Sequence, residues 1–335
     1  MADKTLSAAP PLRQSSGLGR LMARGDLLQY LPYLYVVALG LAIYVLQPNL
    51  IDGTGAVDVR ATAVVPLALA AFGQSLALFT RGVDLSIGGV VSMTTAILAT
   101  RGDTSGLTLG VECLAVVILG ALLGALNGAV IARTGLQPFI VTLATWSIWG
   151  GVAFAILPVE GGTAPAQLTS ILLGSVWIIP KSVLVLALLL AAWLWLRHTR
   201  FIVDLLAIGS DEARARLSGV RVARRKVQTY ALSGALAALV GIWLTAQTAS
   251  GSPTAGDAFN LSSVAAVVVG GTSIFGGRGS IASSIMGAIA FLMIPDLIYA
   301  LRLTSFWSTF FQGFLLIVAV TITSLALQAG AGRAQ

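Results

Sequence analysis

Charge, cysteine and histidine are all scarce in this 335-residue sequence, and each scarcity excludes something. Only 10% of residues are charged, where a soluble domain carries about 25%. With 57% hydrophobic residues and a mean hydropathy of +0.92, the chain reads as an integral membrane protein. The single Cys113 rules out an intramolecular disulfide, and its apolar flanks make it a core residue. The single His198 leaves no Cys/His cluster with zinc-ligand spacing. No G-x-x-x-x-G-K-[ST] loop occurs, so the chain has no Walker site for ATP. Gly276-Gly277-Arg278-Gly279 is glycine-rich but lacks the lysine and the following hydroxyl residue. H-E-x-x-H and G-x-S-x-G are also missing, and a Ser/His/Asp triad would have to recruit His198 from a basic loop. The sequence therefore calls for no catalytic residues, no cofactor and no metal.

What the chain has is long apolar runs. A membrane span takes roughly 17–25 apolar residues. Runs of that kind fall at 31–47, 61–80, 84–100, 111–132, 138–157, 179–196, 228–247, 261–275, 281–300 and 307–327. The expected fold is all-α: a polytopic membrane bundle of about ten transmembrane helices. Residues 1–29 are expected to form a polar cytoplasmic tail, 30–328 the membrane domain, and 329–335 a second short tail. A signal peptide is disfavoured because the first run is long and no small-x-small cleavage site follows promptly.

The net charge of +7 is concentrated in the tail and in one long polar segment, 197–226. Cytoplasmic loops retain Lys and Arg, which explains the basic balance without a nucleic-acid partner. Starting inside, the layout puts 16 basic residues in the cytoplasm, including Arg81, Arg133, Arg278 and eight bases of the long segment. Only Arg60, Arg101, Lys181 and Arg302 fall outside, a 16-to-4 split that places both termini in the cytoplasm.

Within the long segment, Ser210-Asp211-Glu212-Ala213-Arg214-Ala215-Arg216-Leu217-Ser218-Gly219 reads as a short helix. Ser210 can cap its amides, Asp211 and Glu212 suit the positive end of the dipole, and Gly219 suits a left-handed exit. A helix of about two turns is too short to persist alone and must pack on the membrane domain or a partner. The plainer reading is a charge cluster that only sets topology.

Polar groups inside apolar runs are costly and usually functional. Asp84, Ser86, Asn127 and Thr142 are the candidates for a substrate pathway or gate. Asp84 also suits a tight interfacial turn, and a deeper position would call for a partner such as Arg81 or Arg278. Gly120, Gly124 and Gly128 recur every fourth residue, a spacing that lets two membrane helices approach closely. Trp146, Trp149, Trp177, Trp193 and Trp195 fall mostly at span ends and read as interfacial anchors rather than a sugar-stacking platform.

Four pieces occur in the order found in the ribose/xylose/galactose group of ABC importer permeases, and the chain resembles that family over most of its length after the tail. They are Gly82-Val83-Asp84-Leu85-Ser86-Ile87-Gly88; Leu126-Asn127-Gly128 leading to Gln137-Pro138-Phe139-Ile140-Val141-Thr142-Leu143; Ala207 to Val220; and Gly270-Gly271-Thr272-Ser273 through Gly276-Gly277-Arg278-Gly279. The resemblance implies a permease subunit of an ATP-binding cassette importer in a bacterial inner membrane, moving a monosaccharide. It implies as partners an ABC ATPase subunit, an extracytoplasmic sugar-binding protein and a second permease subunit, in a homo- or heterodimer. It also makes Ser210, Asp211, Glu212, Ala213, Arg214, Leu217, Ser218 and Gly219 the segment that meets the ATPase. Arg81 and Arg214 depart from the usual residues of the family. Competing classes are a branched-chain amino acid permease, an intramembrane enzyme, and a secondary transporter, for which acids within spans are scarce.

Overall fold

The computed structural model describes residues 30–50, 53–102 and 104–331. The expected 1–29 tail and residues 332–335, including Lys4, Arg13, Arg20, Arg24 and Arg333, lie outside the described residues. The first apolar run forms α1 (Leu31–Leu46) and is followed by α2 (Thr54–Phe79), α3 (Ser86–Ala99), α4 (Gly106–Thr134) and α5 (Pro138–Ile156). A short α6 (Ala166–Leu172) and a two-residue antiparallel ribbon, Ser175–Val176 with Ile179–Pro180, lead into α7 (Lys181–Leu196). Then come α8 (Arg200–Ser210), α9 (Glu212–Leu217), α10 (Val222–Thr248), α11 (Asp257–Val269), α12 (Ile281–Ala300) and α13 (Phe306–Ala331).

Each predicted apolar run is a helix, but the runs are not all spans. The hydrocarbon layer is about 30 Å thick and a helix rises about 1.5 Å per residue. At 14 and 13 residues, α3 and α11 reach only about two thirds of that distance. Among the described residues, five helices are long and apolar enough to cross by themselves: α2, α4, α5, α10 and α12. A sixth crossing is possible if α7 and α8, bent by 76° at their junction, are taken as one element. The expected spans at 84–100 and 261–275 are thus corrected to partial helices, each preceded by irregular backbone. Their irregular flanks cannot continue a helix: Arg81 takes positive φ before α3, and Gly271, Gly276, Gly277 and Gly279 do so between α11 and α12.

The centre of the bundle is α2, whose second half is almost wholly buried from Val64 to Phe79. α10 packs along it and also along α4. There the glycine stripe settles the spacing: a Cβ at Gly120 would overlap the Gly234 carbonyl oxygen, and one at Gly124 the Tyr230 carbonyl oxygen. At Gly128 it would sit 2.6 Å from the Val227 Cα. Backbone against backbone is the packing mode that small residues permit in membranes. Trp193, expected at the interface, is instead buried against Phe79 with ring centroids 6.3 Å apart.

Candidate functional site

The turn between α2 and α3 holds the polar candidates together. Asp84 is fully buried, and neither Arg81 nor Arg278 is its partner. Its Oδ1 accepts from the Ser86 backbone N–H at 3.0 Å and from the Ser86 hydroxyl. Its Oδ2 accepts from the Ser233 hydroxyl on α10 at 2.6 Å. The Gln74 amide brackets the Asp84 backbone, donating to its carbonyl at 2.9 Å and accepting from its N–H at 3.2 Å. That pairing folds the turn back beside α2, five residues before the end of the helix. The expectation of a guanidinium partner is therefore replaced by hydroxyl donors, which satisfy the carboxylate's lone pairs without a second charge.

The remaining candidates meet the same turn. Asn127, on the glycine-striped face of α4, donates to Ser86 Oγ at 2.9 Å. Thr142 Oγ1 on α5 donates to the Val83 carbonyl at 3.0 Å. Asp84, Ser86 and Asn127 therefore form one continuous network, and Thr142 holds the backbone of the same turn, so that α4 and α5 are both tied to the α2–α3 break. Two buried polar atoms at its edge, Asn127 Oδ1 and the Tyr230 hydroxyl, have no hydrogen-bond partner among the described residues. Buried polar groups of that kind are commonly met by a single water. Gln74, Ser233, Tyr230 and Asn260 were not among the sequence candidates. Gln74, Tyr230 and Ser233 are polar residues inside apolar runs, a signal the sequence does carry, whereas Asn260 falls one residue before the run at 261–275.

A second pairing lies at the start of α3. The Gly88 N–H donates to Asn260 Oδ1 at 3.0 Å, and Gly256 packs directly on Gly88. Gly256 N–H donates to Ser92 Oγ at 2.9 Å. The N-terminal ends of both partial helices thus meet side by side within the bundle.

The polar segment 197–226 is not a loop. α8 lies across the bundle with Ile202, Leu205 and Ile208 buried. The expected cap is displaced by one residue. Ser210 closes α8 and bonds back to the Leu206 carbonyl, while Asp211 caps α9 by accepting from the Arg214 N–H at 3.0 Å. The reason is that α8 carries its apolar face as far as Ser210, so the chain can only turn after it. Gly219 takes φ +85°, as its left-handed exit requires. The Arg214 amide at Asp211, with the neighbouring guanidinium, holds that carboxyl below its usual range. Partial burial pushes the Glu212 carboxyl up, but hydrogen bonds and charge from Lys226 and Arg216 outweigh it and leave it lowered. Glu212 bonds Lys226 at 2.8 Å and Arg216 at 2.9 Å, and Asp204 bonds Arg225 at 2.7 Å. α8, α9 and α10 are thereby clipped into one unit, with Ala215, Ile208 and Val222 in contact beneath. On its outer side Leu217 is 89% exposed and the Arg214 side chain lies exposed against Asp211, its Nε 2.9 Å from Asp211 Oδ2, with Ala213 and Ser218 beside them.

This unit touches both irregular turns. The Arg81 guanidinium donates to the carbonyls of Gly209 and Ser210 at the C-terminal end of α8. The Gly277 N–H donates to the Phe79 carbonyl at 3.3 Å. Gly209 fits between them, where a Cβ would overlap both the Phe79 carbonyl oxygen and the Gly277 nitrogen. The 207–220 and 270–279 motifs therefore meet at the end of α2, just before the Gly82–Gly88 motif.

Comparison with known proteins gives a consistent picture. Residues 58–320 match the family described as the permease component of branched-chain amino acid transport systems. The ribose import permease RbsC of Escherichia coli K12 is 34% identical over 76% of this chain and 81% of its own length. RbsC of Bacillus subtilis is 31% identical over 87% of this chain and 91% of its own. The fructose import permease FrcC of Rhizobium meliloti is 36% identical over 74% and 72%. No solved structure matches the chain.

Proposed function

The chain belongs to the family of permease components of branched-chain amino acid transport systems, and from that premise we propose that it is the membrane subunit of an ABC importer for a monosaccharide. The relatives named for ribose and fructose import support a sugar over an amino acid. In this reading a separate ATPase hydrolyses ATP, an extracytoplasmic binding protein delivers the sugar, and a second permease subunit completes the pore. The subunit sits in a bacterial inner membrane with both termini and the α8–α9 unit in the cytoplasm. The eight basic residues of 197–226 support a cytoplasmic place for that unit.

One observation carries the mechanism: Arg81 fastens the α8–α9 unit to the α2–α3 turn. α9 docks on the ATPase through Leu217, Arg214 and the residues around them. Closure of the ATPase moves α8 as a rigid body, and Arg81 passes the movement to the turn that holds Asp84, Ser86, Asn127 and Thr142. Packed elements shift in such discrete steps rather than bending. The network is then a gate whose hydrogen bonds re-pair as the route opens.

The test is uptake of labelled ribose and fructose into proteoliposomes holding the permease with its ATPase and binding protein. Glu212→Lys removes both of its ion pairs, and Gly219→Pro disturbs the exit from α9. Each should insert normally yet lose uptake and binding-protein-stimulated hydrolysis. Normal values for both variants would leave the segment a topogenic charge cluster. Uptake by the permease alone would instead favour a secondary transporter.

A further inference from the structure

Trp146 is the ninth residue of the 19-residue α5, about 12 Å along the axis from its first residue. It was expected at an interface, but it stands at the middle of a helix long and apolar enough to cross a membrane. Its indole Nε1 donates to Asp257 Oδ1 at 3.1 Å. Asp257 opens α11, and its depth is fixed by the contacts around it. Gly256 packs on Gly88, Asn260 accepts from the Gly88 N–H, and a Cβ at Gly89 would lie 2.8 Å from the Trp146 carbonyl oxygen. Yet Asp257 is exposed and Trp146 half-exposed. Among the described residues Asp257 forms no ion pair, and the indole is its one side-chain hydrogen-bond partner.

A carboxylate exposed at that depth is costly against lipid and belongs beside water. A polar line leads away from it. Thr254 is exposed and lies 3.2 Å from Ser252 Oγ, which donates to Glu160 Oε1 at 2.7 Å. Glu160 stands where Gly161 and Gly251 pair, at the end of α3 remote from the Asp84 turn. Gly150, one turn along α5 from Trp146, has no atom within 4 Å of where a Cβ would lie, so the space beside the indole is open.

We propose that Trp146 and Asp257 form a contact site for a neutral, polyhydroxylated ring on the transport route. The indole face covers the C–H face of the ring, and the free Asp257 oxygen accepts from adjacent hydroxyls. A carboxylate with no neighbouring cation leaves its free oxygen to accept from the hydroxyl donors of an uncharged polyol. Residues 252–257 and Glu160 supply the approach. The site rests on the proposed sugar-import function and gives it a point of contact with substrate, separate from the buried Asp84 network.

The experiment uses the full complex in proteoliposomes, with ribose, fructose and leucine as probes. Trp146→Ala and Asp257→Asn should each lower sugar uptake about tenfold, the effect of one lost contact of this kind. Trp146→Phe, which keeps a stacking face, should recover most of the rate. Co-purification of the ATPase and thermal stability report folding for every variant. Separately, Asp257→Cys in a Cys113→Ala background should react with a membrane-impermeant thiol reagent, and Ile148→Cys on the exposed apolar face of α5 should not. Sugar uptake unchanged in folded Trp146→Ala and Asp257→Asn overturns the contact site, as does an Asp257→Cys variant that fails to react. Uptake of leucine but of neither sugar by the unmodified complex overturns the sugar-import function, and the contact site with it.

Discussion

The Arg81 side chain donates to the Ser210 carbonyl at 2.6 Å, across 129 residues of sequence. It reaches the negative end of the α8 dipole, where a cation is favoured. Arg81 itself holds φ +62°, a conformation rare for a residue with a side chain. Backbone strain of this kind is maintained only where the surroundings over-determine it. Here the turn is strained at the residue that joins it to the α8–α9 unit.

Replacing Arg81 should therefore separate binding from transport. Arg81→Ala removes both donors and should lower sugar uptake at least tenfold while the ATPase still co-purifies. Arg81→Lys keeps the charge but only a point donor, and should fall between. Parallel loss of ATPase association would show that Arg81 holds the segment's shape rather than passing on its movement.

Asp84 should tolerate an amide better than truncation. In Asp84→Asn the oxygen can still accept from Ser86, and the Ser233 hydroxyl can turn to accept from the amide. Asp84→Ala leaves the Ser86 and Ser233 donors unpaired in a buried site, at about 1–3 kcal/mol for each group. Folded yield and melting temperature should drop for Ala and hold for Asn. Uptake should fall in both, and unimpaired uptake by Asp84→Asn would remove the network from the gate.

The meeting point at Gly209 has no room for a methyl group. Gly209→Ala should destabilise the detergent-solubilised protein by about 1–3 kcal/mol through overpacking. Gly110→Ala, which faces open space on α4, is the control and should be neutral or slightly stabilising. Equal melting temperatures for the two would contradict the packing described here.

The Asp211 cap gives a pH signature. Its folded carboxyl is lowered, so its contribution to α9 is complete above the unfolded value near 3.9 and is lost as pH falls through the lower folded value. Amide exchange of residues 212–218, corrected for intrinsic rate, should be flat from pH 8 to about 5 and rise only under stronger acid. Asp211→Asn should reduce the rise, leaving the part that comes from protonation of Glu212.

Topology is open to direct labelling in a Cys113→Ala background. Ser210→Cys should react only from the cytoplasmic side and Thr254→Cys from the outside. Labelling of Ser210→Cys from outside alone would invert the proposed orientation.

The apolar runs determined where the helices are, because every backbone group in lipid must be satisfied within its own helix or barrel. Charge placement gave an orientation, and the glycine stripe on α4 announced a close contact. Asp84, Ser86, Asn127 and Thr142 stood out because polar side chains at depth are expensive. Their partners did not stand out. That Ser233 and not an arginine answers Asp84, or that Arg81 reaches Ser210, depends on which helices lie side by side. Helix length was equally hidden: the run at 261–275 reads as a span until Gly256 is seen packed against Gly88 within the bundle. Asp257 was missed for that reason, since a start at 261 leaves it in a loop. Hydropathy registers the cost of leaving water along a local stretch of chain. The pairing of a carboxylate with an indole from 111 residues away is a property of the packed helices alone.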